Sequence, residues 1–179
     1  PLYWMITASF TTNKYLFSLP PNFWPMEVTV QNYIKIFQNE QYIGYFRNSF
    51  TSAFGTVMLT LIVSLLSAYA FSRFPFKGRN TLMTGIMSVQ MFPIVAILIS
   101  LYTFYQKWRM LNTFQGLILA NTTFCLPLCI TLLKSFFDTL PRSLDESARI
   151  DGCGRMRTLF SILMPLTLPG LVAVGIYTF

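Results

Sequence analysis

The sequence predicts an all-α, polytopic membrane helical bundle. Three observations carry that expectation: apolar runs long enough to cross a bilayer, an absence of charge inside them, and short loops between them that hold Gly, Pro and the basic residues. Hydrophobic residues make up 54% of the chain and charged residues only 11%, where an average soluble domain carries about 25% charged residues. About 20 residues in helical rise cross the hydrocarbon core. The charge-free runs 48–71, 81–105 and 115–133 therefore each read as a span, and 164–179 as the beginning of a fourth.

In chain order, residues 1–10 are apolar but too short to span, and they read as the end of a missing first helix. No basic region precedes them, as a signal peptide would require. The chain thus reads as a fragment of a longer polytopic protein, a single transmembrane domain over 1–179 truncated at both ends. Residues 11–47, polar and aromatic with Pro20-Pro21 and Trp24-Pro25, read as an extracytoplasmic loop. Within it Val30, Tyr33, Ile34 and Phe37 recur at helical spacing, which fits a short helix on the membrane surface and equally an irregular loop packed against the spans.

Membrane helices are expected at 48–72, 81–105 and 115–136. Small residues line the first, including Ser52, Gly55, Thr56, Thr60, Ser64 and Ser67, and such residues let helices approach closely. It ends at Arg73, before Pro75 and Gly78. The second carries Gln90-Met-Phe-Pro93 and the third Asn121-Thr-Thr-Phe124 with Pro127. Proline removes one backbone hydrogen bond and frees a carbonyl, which a bilayer tolerates where the backbone lines a cavity or faces protein. Two readings stay open: kinks without a ligand, or a substrate path onto which Gln90, Phe92, Asn121 and Phe124 face.

The net charge of +7 belongs to topology, because the basic residues are not gathered on one soluble face as nucleic-acid binding would require. Arg73, Lys77 and Arg79, together with Lys134, Arg142, Arg149, Arg155 and Arg157, fall on one side of the spans. Lys14, Lys35, Arg47, Lys107 and Arg109 fall on the other. Eight against five puts the first group in the cytoplasm by the positive-inside rule.

Residue types also exclude chemistries. The chain has no histidine and three cysteines; Cys125 and Cys129 share a helix face and read as packing, since a structural zinc site needs four ligands. Cys153 lies in a segment expected in the cytoplasm, where thiols stay reduced. No charged residue or histidine lies within the runs 48–71, 81–105 and 115–133, which disfavours coupling through buried ionisable groups, and no Gly-x-x-x-x-Gly-Lys-Ser/Thr is present to cradle ATP phosphates. Intramembrane catalysis is disfavoured too, for want of paired carboxylates or an activated nucleophile. Any energy for transport must come from another chain.

The cytoplasmic segment 138–162 is the most distinctive. Asp145, Glu146, Arg149 and Asp151 crowd into seven positions between nearly uncharged spans. Pro141 breaks what precedes, and Ser143 with Glu146 three residues on has the capping-box spacing, so a helix is expected to start at Leu144. Gly152 is expected to stop it in the left-handed conformation and Gly154 to allow a second bend. A second helix over 155–163 then leads back to the membrane, where Pro165 and Pro169 shape the start of the segment 163–179. Leu144, Ala148 and Ile150 supply a small apolar edge that suits a groove; a solvated loop is the bland alternative.

The run Leu144-Asp-Glu-Ser-Ala-Arg-Ile-Asp-Gly152, followed by Ile162-Leu-Met-Pro165, resembles the EAA loop of permease subunits of binding-protein-dependent ABC importers, with Ser147 where that family usually has alanine. Tyr69-Ala-Phe-Ser-Arg-Phe74, Gln90-Met-Phe-Pro93, Leu111-Asn-Thr113 and Asn32-Tyr33 extend the resemblance to the carbohydrate-uptake group, near the maltose-type second permease. The resemblance implies the ABC importer permease fold, a multi-pass position in a bacterial or archaeal inner membrane, and import of a sugar. It implies no catalytic site, metal or cofactor in this chain, with ATP and Mg held by a partner ATPase. The implied partners are a second permease subunit, two cytoplasmic ATPase subunits and an extracytoplasmic solute-binding protein, with no nucleic acid. Leu144, Asp145, Glu146, Ser147, Ala148, Arg149, Asp151 and Gly152 would dock on the ATPase, Glu146 meeting a basic residue and Leu144, Ala148 and Gly152 setting the fit. The residues alone leave one rival, a polytopic channel or scaffold whose cytoplasmic helix recruits a regulator.

Overall fold

Helices account for nearly all the regular structure of the computed structural model, which describes residues 1–18 and 23–179; an isolated antiparallel bridge joins Thr11 to Val28. Pro20-Pro21 falls outside these residues. Contacts divide the chain into two compact units, Pro1–Phe50 and Thr51–Phe179.

The first unit holds α1 (Leu2–Ser9), α2 (Asn13–Leu16) and α3 (Gln31–Gln38). The helical spacing of Val30 to Phe37 is thus realised, and the stretch is not an irregular loop. Asn32 ties α3 down by donating from Nδ2 to the carbonyls of Ser9 at 3.0 Å and Thr11 at 3.3 Å, while the Tyr33 hydroxyl donates to Ser9 Oγ at 2.7 Å. Tyr33 also lies against Phe10, ring centroids 5.3 Å apart.

Helix α4 runs over Glu40–Arg73, beginning at Glu40 where hydropathy suggests Asn48. The reason lies at its start: Asn39 Oδ1 accepts from the Gln41 amide at 3.0 Å, and Glu40 places a carboxylate at the positive end of the helix dipole. Its 34 residues reach about 51 Å, well beyond a hydrocarbon core of about 30 Å.

In the second unit Ser52, Thr56, Thr60, Ser64, Ala68 and Ser72 recur every fourth residue on one buried face of α4, with Phe54, Met58, Ile62 and Leu66 exposed on another. A stripe of small side chains lets a neighbouring backbone come close. Side chains of α7 (Phe114–Thr139) meet α4 at both ends of the contact, Ile118 against Gly55 and Asp138 against Ser72, so the two helices run parallel and finish at the same end. The loops that follow Arg73 and Thr139 therefore share a side, in line with the distribution of basic residues.

Between them, α5 (Arg79–Ser88) passes through a 3₁₀ turn, Val89–Met91, and meets α6 (Ile94–Lys107) at a bend of 99°. The expected continuous span 81–105 is broken. Proline disfavours helical backbone in the residue before it, and Phe92 is extended at φ −75°, ψ 141°. Pro127 behaves differently: it is buried inside a continuous α7 beside Cys129, Ile130 and Leu133, whose packing carries the helix through it. Among the described residues two helices, α4 and α7, are long and apolar enough to cross a membrane, or up to four spans if each bent pair counts as one.

The turn before α7 explains Leu111-Asn-Thr113 locally. Asn112 is left-handed at φ 58°, and Thr113 Oγ1 accepts from the Gly116 amide at 3.1 Å, capping α7. After α7 come α8 (Ser143–Ile150) and α9 (Arg155–Thr158), which passes through a π turn, Leu159–Leu163, into α10 (Met164–Leu166); α11 (Leu168–Thr178) leaves at an 80° bend. The core gathers Leu65, Ala68 and Tyr69 of α4, Cys129, Leu133 and Phe137 of α7, Leu159 and Leu163 of the π turn, and Leu171 and Val174 of α11.

The capping box at Ser143 and Glu146 does not form, and α8 starts one residue early. The amide that Ser143 would have capped, that of Glu146, already donates to the Arg142 carbonyl at 3.2 Å, and the Leu144 amide donates to Pro141 at 3.3 Å. The C-terminal stop is as expected. Gly152 is left-handed at φ 76°, the Cys153 amide reaches the Ala148 carbonyl at 2.8 Å and the Gly152 amide that of Arg149 at 3.0 Å, the two bonds of a Schellman motif. Gly154 is extended at φ −70°, ψ 161° and begins α9.

Two stability tests follow, both read as apparent Tm of the purified protein in detergent. Ser143→Ala should change stability by less than about 0.5 kcal/mol, where a formed cap would cost about 1 kcal/mol. Gly116→Ala should destabilise by about 1–3 kcal/mol, because its Cβ would overlap the backbone carbonyl of Met110. Gly55→Ala should do less harm, since it meets only the flexible end of Ile118.

Candidate functional site

At the shared end of α4 and α7, the last turn and a half of α4 holds the segment that carries α8 and α9. Ser72 Oγ donates to Asp138 Oδ1 of α7 at 2.6 Å, and Lys134 Nζ donates to the other oxygen of the same carboxylate. Arg73 next to it donates from Nη2 to the Leu140 carbonyl at 3.1 Å, just past the end of α7. Its Nε stands 3.2 Å from Oδ2 of Asp145 on α8. Those two atoms are not aligned for a hydrogen bond and meet as charges, with the side chains only 6% and 14% exposed.

A second tie reaches α9. The Tyr69 hydroxyl donates to the Arg155 carbonyl at 3.4 Å, and the Arg155 guanidinium lies 4.8 Å above the Phe74 ring, a cation–π geometry. Phe74 in turn stands edge-on to Tyr69, and Tyr69 packs on Phe137, so the aromatic cluster joins α4, α7 and α9.

These ties decide which way α8 faces. Leu144 packs against the core, Asp145 pairs with Arg73 and Ala148 is 2% exposed, so this face belongs to the chain itself. Glu146, Ser147, Arg149 and Ile150 are exposed, as are Asp151 and Gly152 beyond them, and Ile150 is 86% exposed. The apolar edge expected from Leu144, Ala148 and Ile150 therefore does not exist as one edge. Leu144 and Ala148 are four apart and share a face, whereas Ile150 lies about 200° further round from Ala148.

Sequence reasoning missed Arg73, Tyr69, Ser72 and Asp138 as parts of this site, although Tyr69-Ala-Phe-Ser-Arg-Phe74 contains three of them. Arg73 counted only as a topological charge, because nothing local names its partner. The amide and aromatic residues suggested for a substrate path are not brought together by any hydrogen bond or ring contact among the described residues. Gln90 is exposed in the 3₁₀ turn, Phe92 is 65% exposed at the bend, Asn121 is exposed on α7 and Phe124 is half-buried.

Comparison with known proteins bears on this arrangement. Residues 60–179 match the family described as binding-protein-dependent transport system inner membrane component. The sulfoquinovosyl glycerol transport system permease protein SmoH of Agrobacterium fabrum is 35% identical over all of this chain and 63% of its own length. The trehalose/maltose transport system permease protein MalG of Thermococcus litoralis is 33% identical, and the galactooligosaccharides transport system permease protein GanQ of Bacillus subtilis 35%; in each the match covers all of this chain and 64% of the relative. The chain thus spans somewhat less than two thirds of these relatives. A crystal structure of a bacterial ABC transporter involved in the import of the acidic polysaccharide alginate superposes with a TM-score of 0.86, covering 99% of this chain and 62% of that one at 20% identity, a likeness of fold. The chain is a membrane protein that belongs to the family of binding-protein-dependent transport system inner membrane components.

Proposed function

We propose that this chain forms most of the membrane domain of an ABC importer permease that moves a sugar into the cytoplasm and is powered by separate ATPase subunits docking on α8. The observation that carries the reading is the orientation of α8. One face is locked to the ends of α4 and α7, and the other presents Glu146, Ser147, Arg149 and Ile150 outward. A short helix held on one side and bare on the other suits transmission of a partner's movement.

In this reading exposed Glu146 would meet a basic residue of the ATPase and exposed Ile150 would fill an apolar recess. The docking set from the resemblance then divides by role: Glu146, Ser147, Arg149, Asp151 and Gly152 face the partner, while Leu144, Asp145 and Ala148 hold the helix to its own chain. ATP and Mg reside on the partner. Closure of the ATPase pair would move α8 as a rigid body, and the permease would change its facing because the two states bind ATP differently. The charge distribution supports a cytoplasmic α8, and the remaining partners in this reading are a second permease subunit and an extracytoplasmic solute-binding protein in a bacterial or archaeal inner membrane.

The class of substrate rests on the relatives, whose names specify sulfoquinovosyl glycerol, trehalose or maltose, and galactooligosaccharides. A channel that recruits a regulator is not favoured beside such relatives. Gln90 and Asn121 are suited to bond sugar hydroxyls and Phe92 and Phe124 to stack on a pyranose face, once a transport path forms in the full assembly.

Reconstitution of the full-length protein with its partner permease, ATPase and binding protein in proteoliposomes tests the reading. ATP-dependent uptake of at least one member of a panel of mono- and oligosaccharides is expected, and no response to any sugar would refute the substrate class. Glu146→Lys and Gly152→Asp should each lower uptake by about tenfold or more while membrane insertion and ATP hydrolysis persist; normal uptake by either variant counts against docking through α8. Ile150→Asp should weaken co-purification of the ATPase by about tenfold.

A further inference from the structure

We infer that residues 69–74, the last residues of α4 and Phe74 just after it, form a two-point clamp in which Arg73 is the positioning residue that makes α8 and α4 move as one body. The inference rests on docking at α8 and adds the path by which a push there reaches a membrane helix.

A helix of eight residues is too short to hold its own shape, and its tertiary contacts must do so. At the front of the α8–α9 hairpin, one guanidinium grips both the Leu140 carbonyl and the Asp145 carboxylate. At the back, Tyr69 holds the Arg155 carbonyl and the Phe74 ring lies under the Arg155 guanidinium. Both grips come from six consecutive residues, the last five of a 34-residue helix and Phe74 directly after it, so displacement of the hairpin is delivered to α4 directly.

The ion pair is better suited to fixing position than to adding stability. Well-packed apolar side chains often replace a buried pair without loss, whereas separating its two charges inside the protein is strongly unfavourable. Such a contact resists sliding and tilting of α8 against α4. Lysine could keep the charge at position 73, but a single ammonium cannot both donate to the Leu140 carbonyl as Nη2 does and hold its charge against Asp145 as Nε does.

The test is a charge-swap cycle in the complete reconstituted complex, with sugar uptake per ATP hydrolysed as the readout. Arg73→Glu and Asp145→Arg should each lower that ratio by about tenfold, and the double variant, which restores the ion pair but not the bond to the Leu140 carbonyl, should recover part of that loss. Arg73→Lys should fall between. A spin label at exposed Ser143 of α8, which lies outside the docking residues, paired with one at exposed Lys77 reports the clamp without reference to transport; its distance distribution should broaden in each single variant and narrow again, in part, in the swap. Single variants that retain the parental ratio and a narrow distribution would overturn the clamp, as would a double variant that recovers neither. If the parent complex itself shows no ATP-dependent uptake, the importer reading fails, while the spin-label distances still decide whether the clamp exists.

Discussion

The arrangement at the working end of this protein depends on one contact, the buried pairing of Arg73 with Asp145. A guanidinium within the hydrocarbon would be very costly, and Arg73 stands just past the last charge-free turn of α4, where a carbonyl accepts from it and a carboxylate balances its charge. Its Nη2 donates to the Leu140 carbonyl while its charge faces the Asp145 carboxylate, so one side chain holds both at the same time. The end of α7 and the start of α8 are thereby referred to a single side chain. Remove it and the Asp145 charge is left buried without a counterion.

That contact exists only because the helices beneath it pack closely. Along α4 the buried positions from Ser52 to Ser72 carry small side chains, and Gly55 leaves room for the Ile118 side chain of α7. Gly170 does the same for α11 against Phe136 of α7. With α4 and α7 parallel, Ser72 reaches Asp138 and the chain after each helix emerges at one end. Close packing in the membrane segment is thus the condition for polar chemistry at its border.

Hydropathy marked the apolar runs that lie inside α4 and α7 but not the ends of those helices, for a physical reason. A helix continues wherever its backbone hydrogen bonds are satisfied, so α4 extends back to Glu40 through Arg47, far outside the apolar run. Pro93 and Pro127 make the same point from the other side. Both lack the backbone N–H, yet Phe92 is free to become extended and the helix breaks, while buried neighbours hold α7 together through Pro127. Ser143 had the right partner at the right spacing for a capping box, but backbone carbonyls of the preceding turn took its donors first.

From the sequence alone came the class of fold, the number of apolar runs, the short helix α8 and its stop at Gly152, because each depends on hydrophobicity or backbone conformation over a few neighbouring residues. Tertiary structure alone decided which face of α8 is spent inside the chain. Leu144, Asp145 and Ala148 turn inward and Glu146 and Ile150 outward because Arg73, distant along the chain, is carried to α8 by the parallel packing of α4 and α7. No local pattern records such a pairing, since an arginine attracts whichever carboxylate the fold brings beside it.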